Sequence, residues 1–117
     1  MIGNWEELAY LAGACSSRMT HAQLIAEITG LAEELGLRVF YWPDSRRVSR
    51  KGWPDLAIAG DAAWLFREAK TAGGKLTRDQ RRIGWTMRAA GFNWAVWRPA
   101  DVDSGRVRAE LRALAGI

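Results

Sequence analysis

Apolar residues repeat with a helical period soon after the first twenty positions. Leu24, Ile28, Leu31 and Leu35 fall on one face of a helix. Thr20 precedes them as an N-cap, with Gln23 three residues later as its capping-box partner. Gly36 suits the residue just past the helix end. The period then changes. "LRVFYW", from Leu37 to Trp42, is rich in strand formers and predicts a β-strand. "PDSRRVSRKGWP" is polar, carries two prolines and two serines, and predicts a loop. Leu56 to Ala59 is a short apolar run, "GDAA" a turn, and Ala63 to Lys70 a further strand.

"TAGGK" predicts a flexible link. Thr77 then caps a helix, with Gln80 again at the capping-box position. Ile83, Met87 and Ala90 are expected to be its buried stripe and Gly91 its end, with Arg78, Arg81, Arg82, Trp85 and Arg88 on another face. "NWAVWR" predicts a strand. Ser104 is expected to open a last helix that buries Val107, Leu111 and Leu114. Upstream, Asn4 to Ala14 predict a short helix with Trp5, Leu8, Leu11 and Ala12 inward, broken by "ACSSRMT". The element order is α-α-β-β-β-α-β-α. It describes an α/β domain with a mixed sheet and helices on its faces.

The length of 117 residues fits one compact domain: an extra N-terminal segment over 1–19 and a core over 20–115. Hydrophobic residues make up 49%, enough for a core and too many for disorder. No run approaches the ~20 apolar residues of a membrane helix. Glu6 and Glu7 make the N-terminus a poor signal peptide, so the cytoplasm is the expected compartment. Cys15 is the sole cysteine, which excludes a disulfide framework and a cysteine-cluster zinc site. His21 is the sole histidine, which weakens any Ser-His-Asp or His-rich metal site.

The net charge of +4 and the pI near 9.8 come from clustered arginines. One cluster holds Arg38, Arg46, Arg47, Arg50 and Lys51; another holds Lys75, Arg78, Arg81, Arg82 and Arg88. Basic clusters favour phosphate contacts, although a lone cluster is more often a solvated face. Seven tryptophans are many for 117 residues; most are expected in the core, and some can stack on bases.

The candidate chemistry lies in "GWPDLAIAGDAAWLFREAK", Gly52 to Lys70. A hairpin closed by Gly60-Asp61-Ala62-Ala63 pairs Ala59 with Trp64, Ile58 with Leu65, Ala57 with Phe66 and Leu56 with Arg67. One further step sets Asp55 opposite Glu68, and the pleat puts Lys70 on the same face. Two carboxylates so close repel unless a proton or cation separates them. A magnesium or manganese ion suits such oxygen donors and activates water against a phosphodiester. Lys70 is placed to contact that water or a phosphate oxygen, and the Ala69 carbonyl is a further candidate metal ligand. The plain alternative is a salt bridge of Glu68 with Lys70 or Arg67 at a strand end. An isolated E-x-K favours that alternative; with P-D one hairpin earlier in a basic chain, function weighs more.

The joint pattern "PDSRR", "GWPDL", "REAK", "LTRDQ" and "RAAGFNWAVWRP" resembles the virus-type replication-repair nuclease (VRR-NUC) domain of the PD-(D/E)xK nuclease superfamily. The resemblance covers about residues 20 to 115. It implies a restriction-endonuclease-like core and metal-dependent hydrolysis of DNA phosphodiesters, with Mg²⁺ or Mn²⁺ as cofactor. It makes Asp55 and Glu68 metal ligands, Lys70 the catalytic lysine and Gln80 an active-site glutamine. Capping and catalysis then compete for the Gln80 side chain. The family's first helix often adds an acid; here the aligned position is Gln23, with Glu27 one turn on. Either completes the site, or Glu27 is an ordinary solvent-facing carboxylate.

Ser45, Arg46, Arg47, Arg50, Lys51, Lys75 and Arg78 are candidate DNA-phosphate contacts, with Ser45 equally a loop-turn residue. Stand-alone members of that family resemble Holliday-junction resolvases, and some are dimeric phage proteins, which implies a homodimer on branched or flapped duplex. The competing readings are a non-catalytic DNA-binding or phage structural module on the same fold, and a toxin or restriction-like nuclease on linear duplex.

Overall fold

The computed structural model of the chain describes residues 18–43 and 51–117. The expected helix over Asn4 to Ala14 lies outside them, as do Ser45, Arg46, Arg47 and Arg50. The described elements are α1 (His21–Glu34), β1 (Arg38–Tyr41), β2 (Leu56–Ala59), β3 (Trp64–Ala69), α2 (Arg78–Ala89), β4 (Asn93–Trp97), α3 (Pro99–Asp103) and α4 (Arg106–Leu114).

The strands form one four-stranded sheet in the order β1-β2-β3-β4. β1–β2 and β2–β3 are antiparallel, and β3–β4 is parallel. The parallel pair needs a crossover, which α2 supplies. The β2–β3 register runs from Leu56↔Arg67 to Ala59↔Trp64, the four pairs the hairpin count requires.

This register divides the side chains between two faces. Leu56, Ile58, Leu65, Ala69 and Trp97 share one face and pack with Leu24, Ile25, Ile28 and Ala32 of α1 and Val107 and Leu111 of α4. That is the hydrophobic core. Arg67 lies on the same face at 1% exposure. Its guanidinium donates to the Asn93 carbonyl at 2.7 Å and pairs with Glu110 at 2.9 Å, and it stacks 4.9 Å from the Trp97 ring centre. Trp97 Nε1 donates to the other Glu110 oxygen at 2.9 Å. A buried charge persists only with such partners.

The opposite face carries Arg38, Phe40, Ala57, Ala59, Trp64, Phe66, Glu68, Trp94 and Val96. α2 covers its β4 side. The contact is made by Gly84, where an added Cβ would lie 2.6 Å from the Trp94 ring. This corrects the expected stripe: Ile83 and Met87 are half-buried, Ala90 is exposed, and Gly84 is the buried residue of α2.

Both capping boxes form. Thr20 and Gln23 exchange hydrogen bonds at the start of α1, and Thr77 and Gln80 at the start of α2. The C-terminal end departs from expectation. Ser104 ends the short helix α3 rather than opening α4, whose N-cap is Gly105 at φ 84°. Pro99 at the first helical position starts α3 early, and Arg98 N donates to Asp101 Oδ2 at 2.7 Å. "TAGGK" is also not a loose link. The Arg98 guanidinium donates to the Thr71 and Gly74 carbonyls at 2.7 and 2.6 Å. No helix among the described residues is long and apolar enough to cross a membrane.

Candidate active site at the end of the hairpin

The open end of the β2–β3 hairpin is shaped by the loop that enters it. Gly52 has φ 88°, a conformation that favours glycine. A Cβ there would overlap the Asp79 carbonyl group, so only glycine lets this loop lie against the first turn of α2. Pro54 is fully buried behind it. Asp55 follows as a bend just outside β2, and its carbonyl accepts from Trp42 N at 2.9 Å.

The backbone pairing of β2 with β3 stops at Leu56↔Arg67, one step short of an Asp55↔Glu68 pair. The Asp55 side chain continues the ladder instead: its Oδ2 accepts from the Ala69 N–H at 3.0 Å. This holds the carboxyl beside Glu68, which lies next along β3. Glu68 is 2% exposed. Burial, then the charge of Asp55 and the hydrogen bond between the two side chains, push its carboxyl up to about 9, only partly opposed by Lys70. The Glu68 carboxyl thus holds its proton far more tightly than an ordinary glutamic acid.

Lys70 Nζ lies 3.8 Å from Glu68 Oε1. That is a loose ion pair, and it partly realises the plain salt-bridge alternative; Arg67 does not, because its partner is Glu110. Lys70 N donates to the Trp97 carbonyl at 3.0 Å, which anchors the strand end to β4. The turn beyond is the one Arg98 ties down.

Gln80 makes two contacts at once. Its Oε1 accepts from Thr77 N at 2.9 Å, and its Nε2 donates to Glu68 Oε1 at 2.9 Å. The two ends of the amide divide the work, so capping and site contact do not compete.

α1 reaches the site through a residue outside the expected set. His21 Nε2 lies 3.1 Å from Asp55 Oδ2, with the imidazole 40% exposed. Gln23 is exposed and its Oε1 accepts from Thr20 N at 2.8 Å; Glu27 is exposed as well. His21 is thus the α1 side chain in contact with Asp55. Its signal in the sequence was its place in the first turn of a capped helix. Arg98 was missed too; the parallel register that pairs Ala69 with Trp97 would have set it beside Lys70.

Asp55 and Glu68 are the carboxyls able to hold a divalent cation here, with the Ala69 carbonyl lying between Glu68 and Lys70 in the chain. Among the described residues no group of three or more His, Cys, Asp or Glu side chains gathers as a metal cluster. Magnesium commonly takes only one or two carboxylates and fills its other positions with water and phosphate, so the donor set fits that class of ion. Lys51, Lys75 and Arg78 are exposed, Lys51 in the loop before Asp55, Lys75 in the segment between β3 and the cap of α2, and Arg78 in the first turn of α2. No protein-family model, curated protein or solved structure matches this chain.

Proposed function

We propose that the chain is a metal-dependent DNA endonuclease of the VRR-NUC kind, with a restriction-endonuclease-like core. One observation carries this reading. Two carboxyls lie side by side at the end of a hairpin, Glu68 buried, with a lysine and an amide converging on the same Glu68 oxygen. A purely structural pair gains nothing from holding Glu68 buried against a second acid, since such burial is costly. Asp55 and Glu68 would together hold a divalent cation, whose charge would relieve the repulsion between them.

Asp55 and Glu68 hold the ion, with the Ala69 carbonyl as a further ligand. Mg²⁺ or Mn²⁺ supplies charge neutralisation at a phosphodiester and a more acidic water. The residues of the chain do the rest. Gln80 fixes the Glu68 carboxyl by donating to one oxygen, which leaves the other to face the ion. Lys70 lies close enough to the carboxyl pair to contact a phosphate oxygen or the attacking water. Lys51, Lys75 and Arg78, with Ser45, Arg46, Arg47 and Arg50, hold the DNA backbone without reading its sequence. A homodimer presents two such sites to the two strands of a branched or flapped duplex. The cytoplasm, or the host's cytoplasm for a phage protein, is the compartment this activity suits.

The test is incubation with linear, flapped and four-way DNA in Mg²⁺, Mn²⁺ or EDTA. Metal-dependent nicking is the expected result, and its preference among substrates separates a junction resolvase from a linear-duplex nuclease. His21 beside Asp55 favours the second reading, a non-catalytic DNA-binding module, because it gives that acid a partner without a metal. Binding without cleavage in every metal selects it.

A further inference from the structure

The face of the sheet that carries Glu68 also carries a row of aromatic rings that the hydrolytic site does not use. Trp64, Phe66 and Glu68 alternate along β3 and so point the same way. The Trp64 ring stacks on Phe66 at 6.3 Å and 16° and on Phe40 of β1 at 5.5 Å and 18°. Phe92 meets Phe66 edge-on at 5.7 Å. Three of these rings stand in the open: Phe40 is 45% exposed, Trp64 47% and Phe92 53%. Between Phe40 and Trp64, β2 offers only Ala57 and Ala59, so no bulky side chain from that strand covers the rings.

From the structure we infer that this row is a platform for unpaired nucleobases, and that the substrate enters the site with single-stranded DNA beside the scissile phosphate. The inference rests on the nuclease reading for the position of that phosphate. Trp64 lies four residues from Glu68, roughly 13 Å along the strand. That is at most roughly four nucleotides, because an unpaired strand stretches beyond the roughly 3.4 Å rise of B-form DNA. A strand held at Glu68 and Lys70 therefore passes over the rings within a few nucleotides. Near-parallel, exposed rings are the surface on which bases stack without regard to sequence.

Charge points to the same occupant. Arg38 stands on this face, in the same rung as Ala59 and Trp64, and is exposed. Lys51 and Arg78 stand exposed near the other end of the row, and the whole chain is +4. The core of a protein interface is depleted of charge, and a two-fold contact here would bring two copies of Arg38 toward each other. A polyanion with flat apolar groups matches both features of the face.

The experiment measures binding of fluorescent oligonucleotides to the full chain in EDTA. The probes are a thymine 20-mer, an abasic strand of equal length and charge, and a duplex. The wild type is expected to bind the thymine strand roughly fivefold or more tightly than the abasic one. Trp64→Ala is expected to abolish that preference. Trp64→Lys adds a positive charge at the same exposed position, so it is expected to tighten binding of the abasic strand while still losing the preference. Equal binding of thymine and abasic strands by the wild type overturns the inference, as does a preference that survives in both variants. A concentration-dependent dimer in sedimentation that Trp64→Lys dissociates, with no base preference, assigns the face to self-association. Cleavage in Mn²⁺ is scored separately. Base preference without cleavage defeats the nuclease reading and leaves the platform; cleavage without base preference does the reverse.

Discussion

The Gln80 amide donates to Glu68 Oε1 at 2.9 Å while its oxygen accepts from Thr77 N at 2.9 Å. One side chain thus ties the start of α2 to a buried carboxyl on β3. Gln80→Ala removes both bonds and leaves Glu68 with a lost donor. Stability is expected to fall by about 1–3 kcal/mol, read from urea denaturation. Gln80→Glu keeps an acceptor for the cap but adds a negative charge beside Glu68. It is expected to retain the helix and to need less Mn²⁺ for half-maximal activity, because the added charge attracts the cation, read from a metal titration.

The pH dependence of stability in EDTA follows from Glu68. Its folded pKa of about 9 lies above the ordinary 4.5. Its contribution is therefore complete below pH 4.5 and is lost as pH rises toward 9. Relative to the wild type, Glu68→Gln is expected to gain stability across that window, by at most about 1.4 kcal/mol per pH unit. A metal must displace the same proton. The rise in melting temperature caused by Mn²⁺ is thus expected to be larger near about pH 8 than near about pH 6. Glu110 works in the opposite sense. Burial alone would raise its carboxyl, but the Trp97 hydrogen bond and the Arg67 charge together hold it below its ordinary value, so its contribution disappears in acid.

Glu110 also separates fold from site. Glu110→Ala leaves the Arg67 guanidinium buried without its counter-charge, on the face of the sheet away from Glu68. A loss of about 3–5 kcal/mol is expected in chemical denaturation. Activity per folded molecule is expected to stay near that of the wild type, as assayed at low temperature.

Gly52→Ala is expected to damage both fold and site. It places a Cβ against the Asp79 carbonyl group and forces a side chain into a left-handed conformation. The loop must withdraw from α2, and with it the segment that sets Asp55. A loss of at least about 1–3 kcal/mol is expected, together with weaker Mn²⁺ binding, measured by denaturation and calorimetry.

Much of this geometry is legible in the sequence because it is local. The "GDAA" turn fixes the hairpin length, and the period of two then assigns every β2–β3 pair and the face of Glu68 and Lys70. The two S/T-x-x-Q caps fix where α1 and α2 begin. What escaped depends on contacts distant in the chain. His21 meets Asp55 across 34 positions, and Arg98 meets Thr71 across 27. In the sequence Arg67 is a candidate partner of Glu68, but β4 and α4 bring Asn93 and Glu110 to it instead. Gly84 carries no hydrophobic signal, yet it is the contact that seats α2 on Trp94. Ser104 is a fair N-cap by composition, but Pro99 had already started a helix and left it at the far end.

The central claim is that Asp55, Glu68 and Lys70 form a hydrolytic site. The most direct measurement is the single-turnover rate of DNA cleavage in Mn²⁺ at saturating protein, for the wild type and Lys70→Ala, with DNA affinity measured in EDTA. The expected result is cleavage by the wild type, a fall of roughly 10²-fold or more in Lys70→Ala, and nearly unchanged affinity. No cleavage by the wild type, or equal rates for the two proteins, contradicts the claim.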